Sequence, residues 1–251
     1  MARMTPKEFV TRLESVLGDG LVSITLYGPT ALEEETCLPD DVEHPILIVT
    51  EQLDLETLTR LAQPVQEWRA CGHPKPLCFT RERLKLSSDS FPVELLDMKE
   101  ARKVLLGEDS ILKLEVRRTY FQQELITKLK TELLELRSSF LEAVGDSERL
   151  RQLLVDSLAG VRLLLRGVLR MYIPHCPSTH AGVLESLKIH LSVDAKIYQQ
   201  VAALRNEATP ESSDGLEVLF SNYLTEIEKL ADSTDALRIK RAGSTYPPFR
   251  G

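Results

Sequence analysis

The sequence predicts an α+β fold: a small mixed-sheet domain followed by an all-α bundle containing two long antiparallel helices. Three observations predict it. Short runs of β-forming residues, Leu21–Tyr27 and Ile46–Thr50, alternate with helical patterns over roughly the first 112 residues. From Leu114 to Val144 there is neither Gly nor Pro, and Phe121, Leu125, Leu129, Leu133, Leu136 and Phe140 recur at helical spacing. After Gly145-Asp146 the same spacing resumes at Leu150, Leu154, Leu158, Val161, Leu165, Val168 and Tyr172. A short turn between two long helices makes them antiparallel neighbours. The expected divisions are therefore 1–112, 113–238 and a loose tail over 239–251.

Each element has a local cause. Thr5-Pro6-Lys7-Glu8 combines a capping box with Pro at the first helical position, so a helix begins there and carries Phe9, Val10, Leu13, Val16 and Leu17 inward. Gly18-Asp19-Gly20 ends it, and Leu21–Tyr27 follows as a strand stopped by Gly28-Pro29. Pro45–Thr50 is apolar up to its closing threonine, the pattern of a strand buried on both faces. Leu55–Arg69 is an amphipathic helix that Pro64 is expected to kink or divide. Pro76–Thr80 and Phe91–Leu96 are expected as strands around a short helix at Arg81–Leu86, with Asp97 capping a further helix to Leu106. Past the long pair, helices are expected from Ser178 to His190 and from Ser192 or Asp194 to about Asn206. A polar linker over Thr209–Gly215 leads to a last helix marked by Leu216, Leu219, Tyr223, Ile227 and Leu230.

Charge and composition exclude several classes of function. Residues 1–112 hold 12 basic and 20 acidic residues, a net charge of −8, whereas the remainder, with 19 and 18, carries +1. Six carboxylates crowd between Glu33 and Glu43 and would repel phosphates unless a cation intervenes, so nucleic-acid binding through this face is not expected. No apolar run reaches the ~20 residues of a bilayer span. The densest, around Leu163–Leu165, is cut by Arg162, Arg166 and Arg170, so no membrane role is expected. The four cysteines are irregularly spaced and the first residues lack a secretory pattern, which makes the cytoplasm the expected location.

Leu26-Tyr27-Gly28-Pro29, then Asp41-Val42-Glu43, then the strand Ile46–Thr50 resemble the nucleotidyltransferase superfamily. There a first strand ends in a glycine turn, and an acidic pair separated by one residue introduces the second strand. The small bacterial members, similar to kanamycin nucleotidyltransferase and the minimal nucleotidyltransferases that accompany HEPN proteins, add a helical bundle after the α/β domain. The resemblance implies a nucleoside triphosphate as ligand. If the chain is active, it also implies Mg²⁺ held by Asp41 and Glu43, a phosphate-holding turn at Gly28, and a third carboxylate, for which Glu94 and Asp97 are the candidates. It further implies that bundle residues such as Arg162 and Arg166 contact the nucleotide.

The sequence departs from that pattern in identifiable places. Pro29 stands where a second small residue is expected and has no N–H to donate. His44-Pro45 intervenes between the acidic pair and the apolar strand, and Pro76–Thr80 contains no acid. The expected function is therefore a degenerate, non-catalytic nucleotide-binding or interaction module, with a protein partner or a second copy as further candidate ligands. The alternatives are an active Mg²⁺-dependent transferase acting on a small molecule, protein or RNA, and a structural helical adaptor.

Other constellations have plainer readings. Arg170 and His175 have the spacing of a HEPN ribonuclease pair, but a basic residue near a helix C-terminus also complements the helix dipole. Cys71, His73 and Cys78, and likewise His175, Cys176 and His180, lack the paired spacing of a structural zinc site and are expected as loop residues. The stripe of Arg162, Arg166 and Arg170 is expected to be solvated or to meet the acidic half.

Overall fold

The computed structural model describes residues 4–28, 31, 44–173, 175–177, 179–205 and 213–241. It divides into two compact units, with the division between Arg117 and Arg118. Among the described residues no helix is long and apolar enough to cross a membrane.

The first unit is built on a four-stranded mixed sheet. Helix α1 (Pro6–Leu17) starts where the capping box requires: Glu8 N donates to Thr5 Oγ1 at 3.2 Å, and Thr5 N donates to Glu8 Oε2 at 2.8 Å. Strand β1 (Leu21–Tyr27) pairs antiparallel with β2 (Ile46–Thr50), and helix α2 (Leu55–Ala70) carries the chain to β3 (Leu77–Thr80), which lies parallel to β2. Pro64 lies inside α2, which is one continuous helix rather than two. After the short α3 (Arg81–Leu86) come α4 (Pro92–Glu100) and β4 (Arg102–Gly107), which pairs antiparallel with the other edge of β1. The strand order is β3-β2-β1-β4.

One face of this sheet presents Ile24, Leu26, Ile46 and Ile48 to Phe9, Leu13, Leu61 and Trp68 of α1 and α2. Alternation sends Ser23, Thr25, Leu47 and Val49 to the other face, and these too are fully buried. Ser23 Oγ there lies 2.8 Å from Ser110 Oγ, in the segment that follows β4.

The order of elements near residue 100 corrects the sequence reading. Phe91–Leu96, expected as a strand, is mostly α4, and the expected helix from Asp97 to Leu106 is the end of α4 followed by β4. Pro92 supplies a first-turn helical φ. Val93, Leu95, Leu96 and Met98 are all buried, so the run is apolar because the helix is covered on several sides.

The second unit is helical. Helix α5 (Arg118–Ala143) and α6 (Ser147–Arg170) are joined through Gly145 at φ 80° and capped by Asp146, whose carboxylate accepts from Arg149 N at 3.1 Å. They run antiparallel: Leu125 lies against Gly167, and Glu132 lies against Gly160. Helices α7 (His180–Leu191) and α8 (Ala195–Ala203) follow, then α9 (Ser213–Arg241). At 29 residues α9 is longer than either member of the expected long pair. It takes in the end of the expected linker and extends past 238. It runs antiparallel to α5, since Arg137 pairs with Glu228, Lys130 pairs with Asp235, and the rings of Phe140 and Phe220 stack at 4.5 Å. The rest of the Thr209–Gly215 linker, Ser178 and residues 242–251 lie outside the described residues.

Candidate functional site

The antiparallel pairing of Leu26 with Ile46 brings the exit of β1 and the entrance of β2 to one end of the sheet. Tyr27 N donates to Pro45 O at 3.1 Å, which ties the two ends together. Gly28 then turns at φ 82°, a left-handed conformation that explains glycine here. Its N–H donates to Ala101 O at 2.9 Å, and its carbonyl accepts from Ala31 N at 3.0 Å. The turn is thus fastened to the junction of α4 and β4. Asp41 and Glu43, the expected metal ligands, lie outside the described residues.

Glu94 and Asp97 project from α4, one helical turn apart, instead of from a strand. They nonetheless reach the same sheet end. The Tyr27 hydroxyl is pushed up to about 12 by burial and, after it, by the nearby carboxylates of Glu94 and Asp97. Tyr27 and the Ala101 carbonyl are the parts of this site that the sequence reading missed. Tyr27 was legible as the last residue of its strand, whereas Ala101 was hidden by the misassigned α4.

The donor set can be tested against the magnesium ion that the resemblance implies. Among the described residues no group of three His, Cys, Asp or Glu side chains is arranged to hold a metal ion. Glu94 and Asp97 contribute two carboxylates to this sheet end, and magnesium is commonly held by one or two carboxylates together with phosphate and water. The other two expected ligands, Asp41 and Glu43, lie outside the described residues.

Beside this end of the sheet lies an aromatic column. Trp68 stacks on Phe9 at 4.4 Å and on His73 at 3.7 Å, and the His44 ring lies 5.2 Å from that of His73. His73, expected as a loop residue, is 1% exposed, and its Nε2 lies 2.9 Å from Met4 O. The opposite end of the sheet carries an open cleft of about 620 Å³ between the carboxyl ends of β2 and β3. Arg81 crosses it to both Glu51 and Glu108 and is held in its charged form by those two bonds.

In the helical unit Arg166 and Arg170 of the arginine stripe are buried, so the solvated setting, one of the two expected for it, does not hold for them. Arg166 is 9% exposed and Arg170 2% exposed. Arg166 Nη1 donates to Pro177 O at 3.0 Å, which anchors the approach to α7. Arg162 is half-buried on the preceding turn, and its Nε is buried without a hydrogen-bond partner. Burial, and then the charge of Arg205, lower its pKa. His180, the first residue of α7, stands beside Arg162 and Arg166. Burial, followed by those two charges, depresses its pKa to about 4, so its ring is neutral at pH 7. Its Nε2 is likewise buried without a partner. Arg170 and His175, whose spacing is that of a ribonuclease pair, differ in burial: Arg170 is buried in the last turn of α6, whereas His175 is exposed. No known protein family matches the chain, and no curated protein is similar to it.

Proposed function

We propose that the chain is a degenerate nucleotidyltransferase-like protein that binds a nucleotide without transferring it. The observation that carries the reading is the Gly28 turn. A phosphate-cradling turn needs N–H groups aimed at the ligand. Here the Gly28 N–H is committed to Ala101 O, and the next residue, Pro29, has none to give. Nucleotide binding is supported by what that sheet end keeps: a left-handed glycine between paired strands, two carboxylates at Tyr27, and an acidic pair only a few residues before β2 in sequence.

The test is thermal unfolding of the full chain with each nucleoside triphosphate and magnesium, repeated on Asp41→Ala, alongside an assay for pyrophosphate release. A bound nucleotide at about a hundred times its Kd stabilises by about 2.7 kcal/mol. The expected result is such a shift with at least one nucleotide, its reduction in Asp41→Ala, and no pyrophosphate. Pyrophosphate release would make the chain an enzyme, and the absence of any shift would remove the nucleotide.

A further inference from the structure

The cleft at the sheet end opposite the Gly28 turn has two unlike walls. Strands β2 and β3 are parallel neighbours joined through α2, so their carboxyl ends open side by side. The crevice outside the carboxyl ends of such strands is where α/β sheets bind ligands. Its volume of about 620 Å³ suits a small organic molecule. One wall is the loop from β2 to α2, which brings Glu51, Leu53 and Asp54 to the cleft. The other is α3, which brings Arg81, Glu82 and Lys85. Arg81 and Lys85 are one helical turn apart and so share a side of α3.

Each wall selects one charge. Asp54 caps α2: its Oδ1 accepts from Thr57 N at 2.8 Å, and bonds from Thr57 hold its carboxyl below the usual range. A bare anion therefore finds the positive end of that helix already taken. A carboxylate has about four lone-pair sites, so Asp54 and Glu51 can still accept from an ammonium group. On the other wall, Arg81 donates through Nη2 to Glu51 at 3.1 Å and through Nη1 to Glu108. Exposed pairs of this kind are individually weak, and a guanidinium has five N–H donors. Arg81 can therefore also hold a ligand carboxylate, as can the ammonium of Lys85. The lining carries three acids, Glu51, Asp54 and Glu82, against two bases, Arg81 and Lys85. Such a lining suits a molecule bearing both charges better than one bearing either alone.

We propose that this cleft binds a small zwitterion of the amino-acid or short-peptide type, with its ammonium group on Glu51 and Asp54 and its carboxylate on Lys85 and Arg81. Leu53, half-buried in the loop wall, meets the apolar part of the ligand. Glu82, on the same wall as Lys85, disfavours a ligand that brings a carboxylate alone. The site stands apart from the nucleotide reading, since it lies at the other end of the sheet and shares no residue with it.

The experiment is isothermal titration of the full chain with L-alanine, trialanine, N-acetyl-trialanine and trialanine amide, at neutral pH and constant ionic strength. Saturable binding is expected for trialanine. The two blocked peptides should each bind about fivefold more weakly, having lost one partly exposed charge contact. Lys85→Gln should weaken trialanine by a similar factor and leave the amide unchanged, because the amide has no carboxylate to lose. Asp54→Asn, which keeps the helix cap, should weaken trialanine and leave the acetylated peptide unchanged. Arg149→Gln, exposed on α6, is the surface control and should alter none of these affinities. Alanine binding as tightly as trialanine would assign the ligand as a free amino acid, and binding of trialanine alone as a peptide. Absence of saturable heat with millimolar alanine and trialanine, blocked peptides that bind as well as trialanine, or unchanged trialanine affinity in both Lys85→Gln and Asp54→Asn overturns the proposal.

Discussion

Replacing Gly107 with alanine should unfold the first unit far more readily than any other single methyl group added to the sheet. Gly107 closes β4 opposite Ser23 with φ 74°, and a Cβ there would lie 2.0 Å from the Val22 carbonyl oxygen and 3.1 Å from Ser23 Cα. These are backbone atoms of β1, so no side-chain rotation relieves the clash, and the end of β4 must move away. The left-handed conformation costs alanine about 1–2 kcal/mol. Each ladder hydrogen bond lost at the strand end adds about 1 kcal/mol. A smaller unfolded-state entropy returns about 0.4–1 kcal/mol. The balance is a loss of about 2–3 kcal/mol, or roughly 1–1.5 M in urea midpoint for a slope near 2 kcal/mol/M. Trp68 is the chain's one tryptophan, stacked between Phe9 and His73, so its fluorescence follows this unit selectively, while far-ultraviolet ellipticity is dominated by the helices. Gly28→Ala is the matched control: φ is 82°, but among the described residues the nearest atom to a Cβ is Pro45 Cγ at 3.5 Å, so the conformational cost is what applies. If Gly107→Ala shifts the fluorescence midpoint no more than Gly28→Ala does, the close backbone approach of β4 to β1 is wrong.

Other perturbations have calculable signs. Within α6, Gly160→Ala should stabilise the helical unit by about 1 kcal/mol of helix propensity, since its Cβ would meet only Glu132 Oε2 at 3.7 Å. Gly167→Ala should lose that gain to overpacking of about 1–3 kcal/mol, because Leu125 Cδ1 lies 2.7 Å from the added carbon; ellipticity melts that rank the two variants the other way would refute the α5–α6 contact. His180, depressed from 6.5 to about 4, stays neutral in the fold while the unfolded chain takes up its proton. Its contribution is therefore complete above the unfolded pKa and is lost as pH falls from there towards the folded value. With the solvent exposure of the ring discounted, that amounts to about 1–2 kcal/mol, and the extra acid sensitivity should vanish in His180→Gln when urea midpoints at neutral and mildly acid pH are compared. Thr5→Ala removes one half of the capping box and should cost about 1 kcal/mol, read from the Trp68 unfolding curve; a change near zero would mean that α1 is held by tertiary contacts alone.

What the sequence determined by itself is whatever rests on neighbours along the chain. The start of α1 follows from Thr5 and Glu8, the turn into α6 from Gly145 and Asp146, and the apolar rows of α5 and α6 from a spacing that only a helix brings to one face. Strands β1 and β2 were legible for the same reason, being short runs of β-formers bounded by Gly and Pro. The region from Phe91 to Gly107 was not. An apolar run surrounded on several sides looks alike as helix or strand, and whether Arg102–Gly107 pairs depends on the free edge of β1 rather than on its own residues. The same holds for the sites. Gly28 and the acids near it could be named from the chain, but that Glu94 and Asp97 reach Tyr27 from a helix could not. The arginine stripe reads from the chain as a face that is solvated or meets the acidic half. Only the tertiary structure buries Arg166 and Arg170 and sets His180 beside Arg162 and Arg166, because burial and electrostatics are set by what lies across space, not along the chain.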